Sequence, residues 1–259
     1  MISVQENLQP TGRFSNRAEN YLQYRPAYPA EVLRFLNRTM GLAQAHRIAD
    51  IGSGTGHFAE LFLKNGYTVI GVEPNAAMRE GAEKRLGSYK LFTLLATRAE
   101  KTEIESETID LVTVAQAFHW MDAELTRREF QRILKPGGAV AIVSTVRKKH
   151  TPFLENYDRL KQQFRLEPLP ALPDEIRIND FFKGCDIHFQ SFPHKHWLDF
   201  DGLKGLLLSS SAIPLPGHPS YDTMISTLVQ MFVAYNKNGF VEMEYETNVY
   251  WSSLSADKY

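Results

Sequence analysis

The amino-acid sequence predicts a doubly wound α/β fold, a mostly parallel sheet with helices on both faces followed by a helical cap. Three observations carry this expectation. Between residues 46 and 146, short apolar runs alternate with stretches of helical periodicity, the rhythm of right-handed strand–helix–strand crossovers. One run, Ile109–Ala115, is apolar almost throughout, as a strand covered on both faces should be. The 259 residues, 43% hydrophobic and 23% charged, can bury a sizeable core without staples.

Taken in order, residues 1–28 are polar with interleaved aromatics, Phe14, Tyr21, Tyr24 and Tyr28. A helix is expected after Pro29, with Val32, Leu33, Phe35 and Leu36 as its buried stripe. Residues 46–51 read as a strand, and 55–65 as a helix with Phe58, Leu61 and Phe62 on one face, stopped by Gly66. Strands at 67–72 and 90–95 flank a helix at 75–86 that Gly87 closes. After the strand at 109–115, a helix at 124–134 leads through a turn, Lys135-Pro136-Gly137-Gly138, into a strand at 139–146. Beyond residue 147 the rhythm changes. Helices are expected at 152–164, 174–182, 200–209 and 221–236, and strands at 187–192 and 241–252. The last of these alternates and gathers Val249, Tyr250 and Trp251. Its short connection through Asn238-Gly239 fits a hairpin-like return better than a crossover. The chain thus divides into an N-terminal lid and first helix (1–40), a cofactor-binding α/β core (41–146), and a helical cap with the last strands (147–259).

Composition narrows the function classes. A net charge of -1 gives no global pull toward nucleic acid or acidic membranes. The single cysteine, Cys185, excludes an internal disulfide framework and fits a reducing compartment. Residues 1–10 lack the apolar core of a signal peptide, and no apolar run nears the roughly 20 residues that span a bilayer. A soluble, cytoplasmic protein is expected.

The most informative segment is Asp50-Ile51-Gly52-Ser53-Gly54-Thr55-Gly56, where the first strand passes into the following helix. Glycines there permit positive φ and let a ligand approach the backbone with no Cβ in the way. One strand over, Glu73 closes Gly71-Val72-Glu73, where an acid can accept both hydroxyls of a ribose. Together they indicate an adenosine-containing cofactor. Gly54-Thr55-Gly56-His57-Phe58-Ala59 also satisfies a dinucleotide fingerprint, so NAD(P) stays open. Asp50 leans the balance the other way, because a carboxylate beside the loop suits the ammonium of a methionine moiety better than a diphosphate.

These segments resemble the class I S-adenosylmethionine-dependent methyltransferases. Three more segments, Ala115-Gln116-Ala117-Phe118-His119-Trp120, Leu134-Lys135-Pro136-Gly137-Gly138 and Tyr21-Leu22-Gln23-Tyr24-Arg25-Pro26, are similar to the type 11 branch that includes trans-aconitate methyltransferase-like proteins. The likeness covers residues 14–146 well and the last third loosely. It implies a seven-stranded sheet with the last strand antiparallel. It implies that Gly52, Ser53, Gly54 and Gly56 lie against the methionine part of S-adenosylmethionine, that Glu73 holds the ribose, and that Pro74 and Met78 line the adenine. Relatives carry Asp-Ala-Glu where this chain has Arg98-Ala99-Glu100, so adenine recognition falls to the Ala99 backbone or another group. Gln116 completes the expected cofactor set.

Methyl transfer from a sulfonium is an in-line displacement, governed by positioning and desolvation, with aromatic faces attracting the cation. Tyr21, Tyr24, Phe118 and Trp120 are candidates for those faces, Phe118 and Trp120 being equally compatible with core packing. Tyr21, Tyr24, Arg25 and Trp120 are the expected substrate contacts, Arg25 as a planar fork for a carboxylate. His119 is the candidate catalytic base for a hydroxyl, phenol or amine; a carboxylate nucleophile would need none. The basic run Arg147-Lys148-Lys149-His150 reads as a solvated loop. His194 and His196, flanking Lys195, read as surface residues without a third metal ligand, and no metal is expected. The expected function is S-adenosylmethionine-dependent methylation of a small molecule, by O-methylation of a carboxylate or hydroxyl. An NAD(P)-dependent oxidoreductase and a non-catalytic S-adenosylmethionine binder are the alternatives, and neither nucleic acid nor membrane is an expected partner.

Overall fold

Seven strands hydrogen-bond into one sheet in the order β3-β2-β1-β4-β5-β7-β6, as a computed structural model describing residues 17, 20, 23–166 and 174–254 shows. The strands are β1 Arg47–Ile51, β2 Thr68–Val72, β3 Phe92–Leu95, β4 Ile109–Ala115, β5 Leu134–Arg147, β6 His188–Leu198 and β7 Val241–Ser253. β7 runs antiparallel to both neighbours, and the pairs among β1 to β5 are parallel. The expected seven-stranded sheet with its last strand reversed is therefore present.

Alternate side chains of the central strands feed two cores. Ala49, Ile70, Val112, Val140 and Ile142 pack on one face with Phe130, Ile133 and Phe181. Ile48, Val69, Leu111, Ala141 and Val143 pack on the other with Val32, Leu36 and Phe62. That double cover is why these strands carry so few polar residues. The helices are α1 Ala30–Met40, α2 Ala59–Leu63, α3 Ala76–Leu86, α4 Ala123–Ile133, α5 Pro152–Gln163, α6 Asp174–Phe181, α7 Phe200–Leu208 and α8 Tyr221–Tyr235. A third core joins α5, α7 and α8 to β7 through Tyr157, Leu160, Leu207, Leu228 and Met243. Side-chain caps start four of the helices: Asn75 accepts from the Met78 N–H, Asp122 from Glu124 and Leu125, Thr151 from Leu154, and Asp199 from Gly202. No described helix is long and apolar enough to cross a membrane.

Three expected elements differ. The helix after the glycine loop begins at Ala59 rather than residue 55, because Gly54 and Gly56 hold φ of 55° and 82° and left-handed residues cannot continue a right-handed helix. Lys135–Gly138 is no turn before a strand but a bulge inside β5: Ile109 pairs with Leu134, and the next pair is Leu111 with Ala139. β6 runs on through Pro193 to Leu198. It is an edge strand, where a residue lacking an N–H leaves no ladder partner wanting.

Candidate active site

The C-terminal ends of β1, β2 and β4 open onto a cavity of about 360 Å³, within the range of small-ligand sites. Its walls include Asp50, Gly52, Ser53, Gly54, Glu73, Pro74, Met78, Ala99, Gln116 and Trp120. Ten of the expected site residues thus meet at one place. Tyr28, His57, Phe58, Asn75, Arg98, Glu100 and Met121 join them.

Local geometry explains the loop. Gly52 holds a φ of 68°, and an added Cβ would lie 2.5 Å from that of Ala117, so backbone packing demands glycine. At Gly54 an added Cβ would meet nothing within 4 Å, leaving the backbone open toward the cavity. Gly56 is different. It does not line the cavity, and a Cβ there would strike Leu86 Cδ1 at 2.3 Å, so its service is to seat the loop on α3.

Two buried carboxylates face this space. Asp50 is 1% exposed; its Oδ1 accepts from the Thr113 hydroxyl at 2.8 Å, while Oδ2 has no partner among the described residues. Burial pushes its pKa up to about 7, against the opposing pull of the Thr113 hydroxyl and the nearby Ala59 N–H. Glu73 accepts the Gly54 N–H at 2.9 Å and the Asn75 N–H at 2.8 Å, one on each oxygen. Burial raises its pKa too, with those backbone bonds opposing. Each Glu73 oxygen keeps a second acceptor direction. Gln116 holds a positive φ of 59°, uncommon for a residue with a Cβ, and its Nε2 donates to the Thr145 carbonyl at 3.0 Å.

A second cavity of about 180 Å³ adjoins the first, and Tyr28, His57 and Gln116 line both. Its other walls bring Arg25, Arg147 and Lys161 together with Tyr157 and Tyr245. Arg147 corrects the expectation of a solvated basic run. Its side chain is 15% exposed and stacks over Tyr157, 4.7 Å from guanidinium carbon to ring centre, while Nη2 donates to Asp158 at 3.0 Å. The neighbouring Lys148 is partly exposed and Lys149 lies at the surface, ion-paired with Glu246 and Asp158, and the exposed His150 ring sits 3.3 Å from Glu244. Lys161 forms no ion pair with a described residue; burial, then the nearby Arg147 and Arg25, pushes its pKa down to about 7.

The remaining expected residues fall elsewhere. His119 lines neither cavity; its ring lies 4.7 Å from that of Trp120. Phe118 is core, edge-on to Phe181 at 5.2 Å. Tyr24 lines neither cavity but packs on α7, where a Cβ at Gly205 would fall 2.1 Å from its ring. Arg25 lines the second cavity, and Tyr21 lies outside the described residues. Arg17, 5% exposed, donates to the Leu208, Ser210 and Ile213 carbonyls at and just beyond the end of α7. His194 and His196 are half-buried rather than exposed, His194 stacked on Tyr245. Among the described residues no three His, Cys, Asp or Glu side chains are grouped to hold a metal. Besides Pro26, Tyr28 and His57, the residues of the second cavity that sequence reasoning missed are Thr145 and Arg147 on β5, Tyr157 and Lys161 on α5, Leu206 on α7, Ser210 just beyond it and Tyr245 on β7, and no shared local motif marks them.

Residues 49–142 match the methyltransferase domain family, a span that contains the glycine loop, both carboxylates and Gln116. An uncharacterized methyltransferase of Mycobacterium tuberculosis is 33% identical over 134 residues, 52% of each chain. The chain thus spans about half the length of that relative. An uncharacterized methyltransferase of Schizosaccharomyces pombe is 26% identical over 201 residues, 77% of this chain and 79% of its own. Among solved structures, a candidate type II methyltransferase of Anaeromyxobacter dehalogenans superposes with a TM-score of 0.64 at 18% identity, over 88% of this chain and 97% of that one. Phosphoethanolamine N-methyltransferase 2 of Haemonchus contortus, in complex with S-adenosyl-L-methionine, superposes with a TM-score of 0.54 at 20% identity, over 99% and 61%. The structural likenesses carry the fold. The family match covers residues 49–142 of this chain.

Proposed function

From the methyltransferase domain over residues 49–142, we propose that the chain is an S-adenosylmethionine-dependent methyltransferase that O-methylates a small molecule on a carboxylate or hydroxyl, in the trans-aconitate methyltransferase-like branch and in the cytoplasm. The observation that carries this reading is the Asp50 Oδ2 atom: a buried carboxylate oxygen on the cavity wall with no partner among the described residues. An ammonium supplies the missing partner. A diphosphate would meet two carboxylates at the same loop, which weighs against NAD(P).

The residues present fit the cofactor. Asp50 would receive the amino-acid ammonium beside the open backbone of Gly54, and the free acceptor directions of Glu73 would receive the ribose hydroxyls. Pro74, Met78 and Ala99 offer apolar walls for an adenine. S-adenosylmethionine, when bound, would supply a sulfonium methyl for in-line attack by an oxygen nucleophile, the C–S bond breaking as the O–C bond forms and S-adenosylhomocysteine leaving as a neutral thioether. Trp120 presents an aromatic wall to a cation.

The wall common to the two cavities favours a carboxylate acceptor. His57 is the titratable imidazole there, and its ring nitrogens already engage Thr55 Oγ1 at 2.9 Å and Arg85 at 3.2 Å. A carboxylate needs no base. The adjoining second cavity supports an enzyme over a cofactor sensor, since an acceptor needs room beside the methyl. The test is transfer of labelled methyl from S-adenosylmethionine to pooled carboxylic acids, phenols and amines. Base-labile labelled ester is expected; rates equal to blank on every pool would favour the sensor.

A further inference from the structure

We propose that Arg85 is a positioning residue that holds His57 as a neutral imidazole with its proton on Nδ1, so that the wall common to the two cavities sets no positive charge against a sulfonium. The inference rests on the methyltransferase reading and deepens it, by adding to the machinery a residue that lines neither cavity. Its starting point is a hydrogen bond whose direction is fixed by chemistry. Arg85 Nη1 lies 3.2 Å from His57 Nε2. A guanidinium has donors and no acceptor, so Nε2 takes the bond on its lone pair and carries no proton. The one ring proton then sits on Nδ1, which lies 2.9 Å from Thr55 Oγ1 and donates to it. A second proton on the ring would face the guanidinium, breaking the bond and bringing two cations into contact.

The guanidinium is anchored from behind. Glu60 Oε2, on α2, accepts Arg85 Nε and Nη2 at 3.0 and 2.8 Å, two donors on one oxygen that fix the guanidinium plane and offset its charge. Lys64, 3.2 Å from the other Glu60 oxygen, is solvated. The ring matters because of where it stands. His57 lines both cavities, so a methyl passing from donor to acceptor moves along the wall that it helps to form. An imidazolium there would repel the sulfonium before transfer. The other charged groups lining the two cavities are Asp50, Glu73, Arg98 and Glu100 in the larger and Arg25, Arg147 and Lys161 in the smaller. The phenols of Tyr157 and Tyr245, raised by burial, stay neutral. The carboxylates favour a charged ring and the cations oppose it. The bond from Arg85 decides, since it occupies the nitrogen that would take the proton.

The test is titration calorimetry on the full chain at pH 8 and pH 5.5 with S-adenosylmethionine and S-adenosylhomocysteine, which differ in the sulfonium charge. The ratio of the two affinities cancels the ammonium they share, and with it the titration of Asp50. Lys161, its pKa pushed down to about 7, titrates in the same window but is common to every variant. In Arg85→Met the ring is released to titrate as an ordinary imidazole does, at about pH 6.5. Between pH 8 and 5.5 its ratio should move against S-adenosylmethionine roughly tenfold more than the wild-type ratio does. Arg85→Lys should restore the wild-type profile. The double variant Arg85→Met, His57→Asn should also match the wild type, which separates titration of the ring from loss of the pair with Glu60. Nuclear magnetic resonance of the wild-type imidazole reads the claim without any substitution: His57 should stay neutral, with its proton on Nδ1, from pH 8 to 5.5. A wild-type ring that carries its proton on Nε2 or gains a second one in that range would overturn the proposal. So would an Arg85→Met ratio that moves no more than the wild-type ratio, or a double variant that keeps the shift. Absence of binding of both compounds to the wild type would instead overturn the reading on which it rests.

Discussion

Asp50→Asn offers the sharpest perturbation of the proposed cofactor site, because one heavy atom changes and the effect has a computable sign. The carboxyl is fully buried, and burial raises its pKa from 3.8 to about 7, which corresponds to about 4 kcal/mol. A group whose pKa is higher in the folded chain contributes stability that is complete below its unfolded pKa and is lost as pH rises through the folded one. Most of the pH 5 to 8 portion, about 2–3 kcal/mol, should therefore disappear from the ligand-free wild type, lowering Tm by roughly 5–10 °C for a chain of this size. Glu73 is raised in the same direction and adds to both proteins, so the difference between wild type and variant isolates Asp50. The assay is thermal unfolding from pH 5 to 9 with and without S-adenosylhomocysteine. Without ligand, Asp50→Asn should flatten the profile and be the more stable protein at pH 8. With ligand, the wild-type gain in Tm should grow between pH 5 and 8, since the ammonium binds the ionised carboxylate, and the variant's gain should be small throughout. Parallel profiles for the two ligand-free proteins, or equal ligand gains, would refute this role for Asp50.

Two further outcomes test the division of labour around the loop. Gly56→Ala forces a Cβ into Leu86 at a φ of 82° and should lower stability by about 2–4 kcal/mol in urea unfolding; a loss under about 0.5 kcal/mol would contradict its packing role. His119→Ala should hold methyl transfer within about threefold of wild type, because the imidazole lines neither cavity, whereas a loss of roughly 100-fold would make it the base.

Much of this was legible in the sequence because its signals are local. The buried double-sided strands announce themselves by continuous apolar runs, and β4 matches its expected bounds at both ends. Glycines and carboxylates at strand ends marked the larger cavity. Where the reading failed, a local signal had two meanings. Gly56 reads as loop glycine whether it greets a ligand or packs under Leu86, and only the third dimension separates these. Lys135-Pro136-Gly137-Gly138 carries turn chemistry yet forms a bulge, because β4 and β5 pair on both sides of it. Arg147 sits in a run of basic residues typical of a solvated loop, but tertiary packing turns it inward over Tyr157 while its neighbours stay outside. The second cavity draws on positions from 25 to 245, a spread that no periodicity or spacing can encode.

The central claim concerns what occupies the space between Asp50 and Glu73. Titration calorimetry of the full chain with S-adenosylhomocysteine and, separately, with NAD⁺ tests it most directly. Binding of the first, weakened roughly tenfold or more by Glu73→Gln, and no heat from the second are expected. Binding of NAD⁺ in the absence of any affinity for S-adenosylhomocysteine would contradict it.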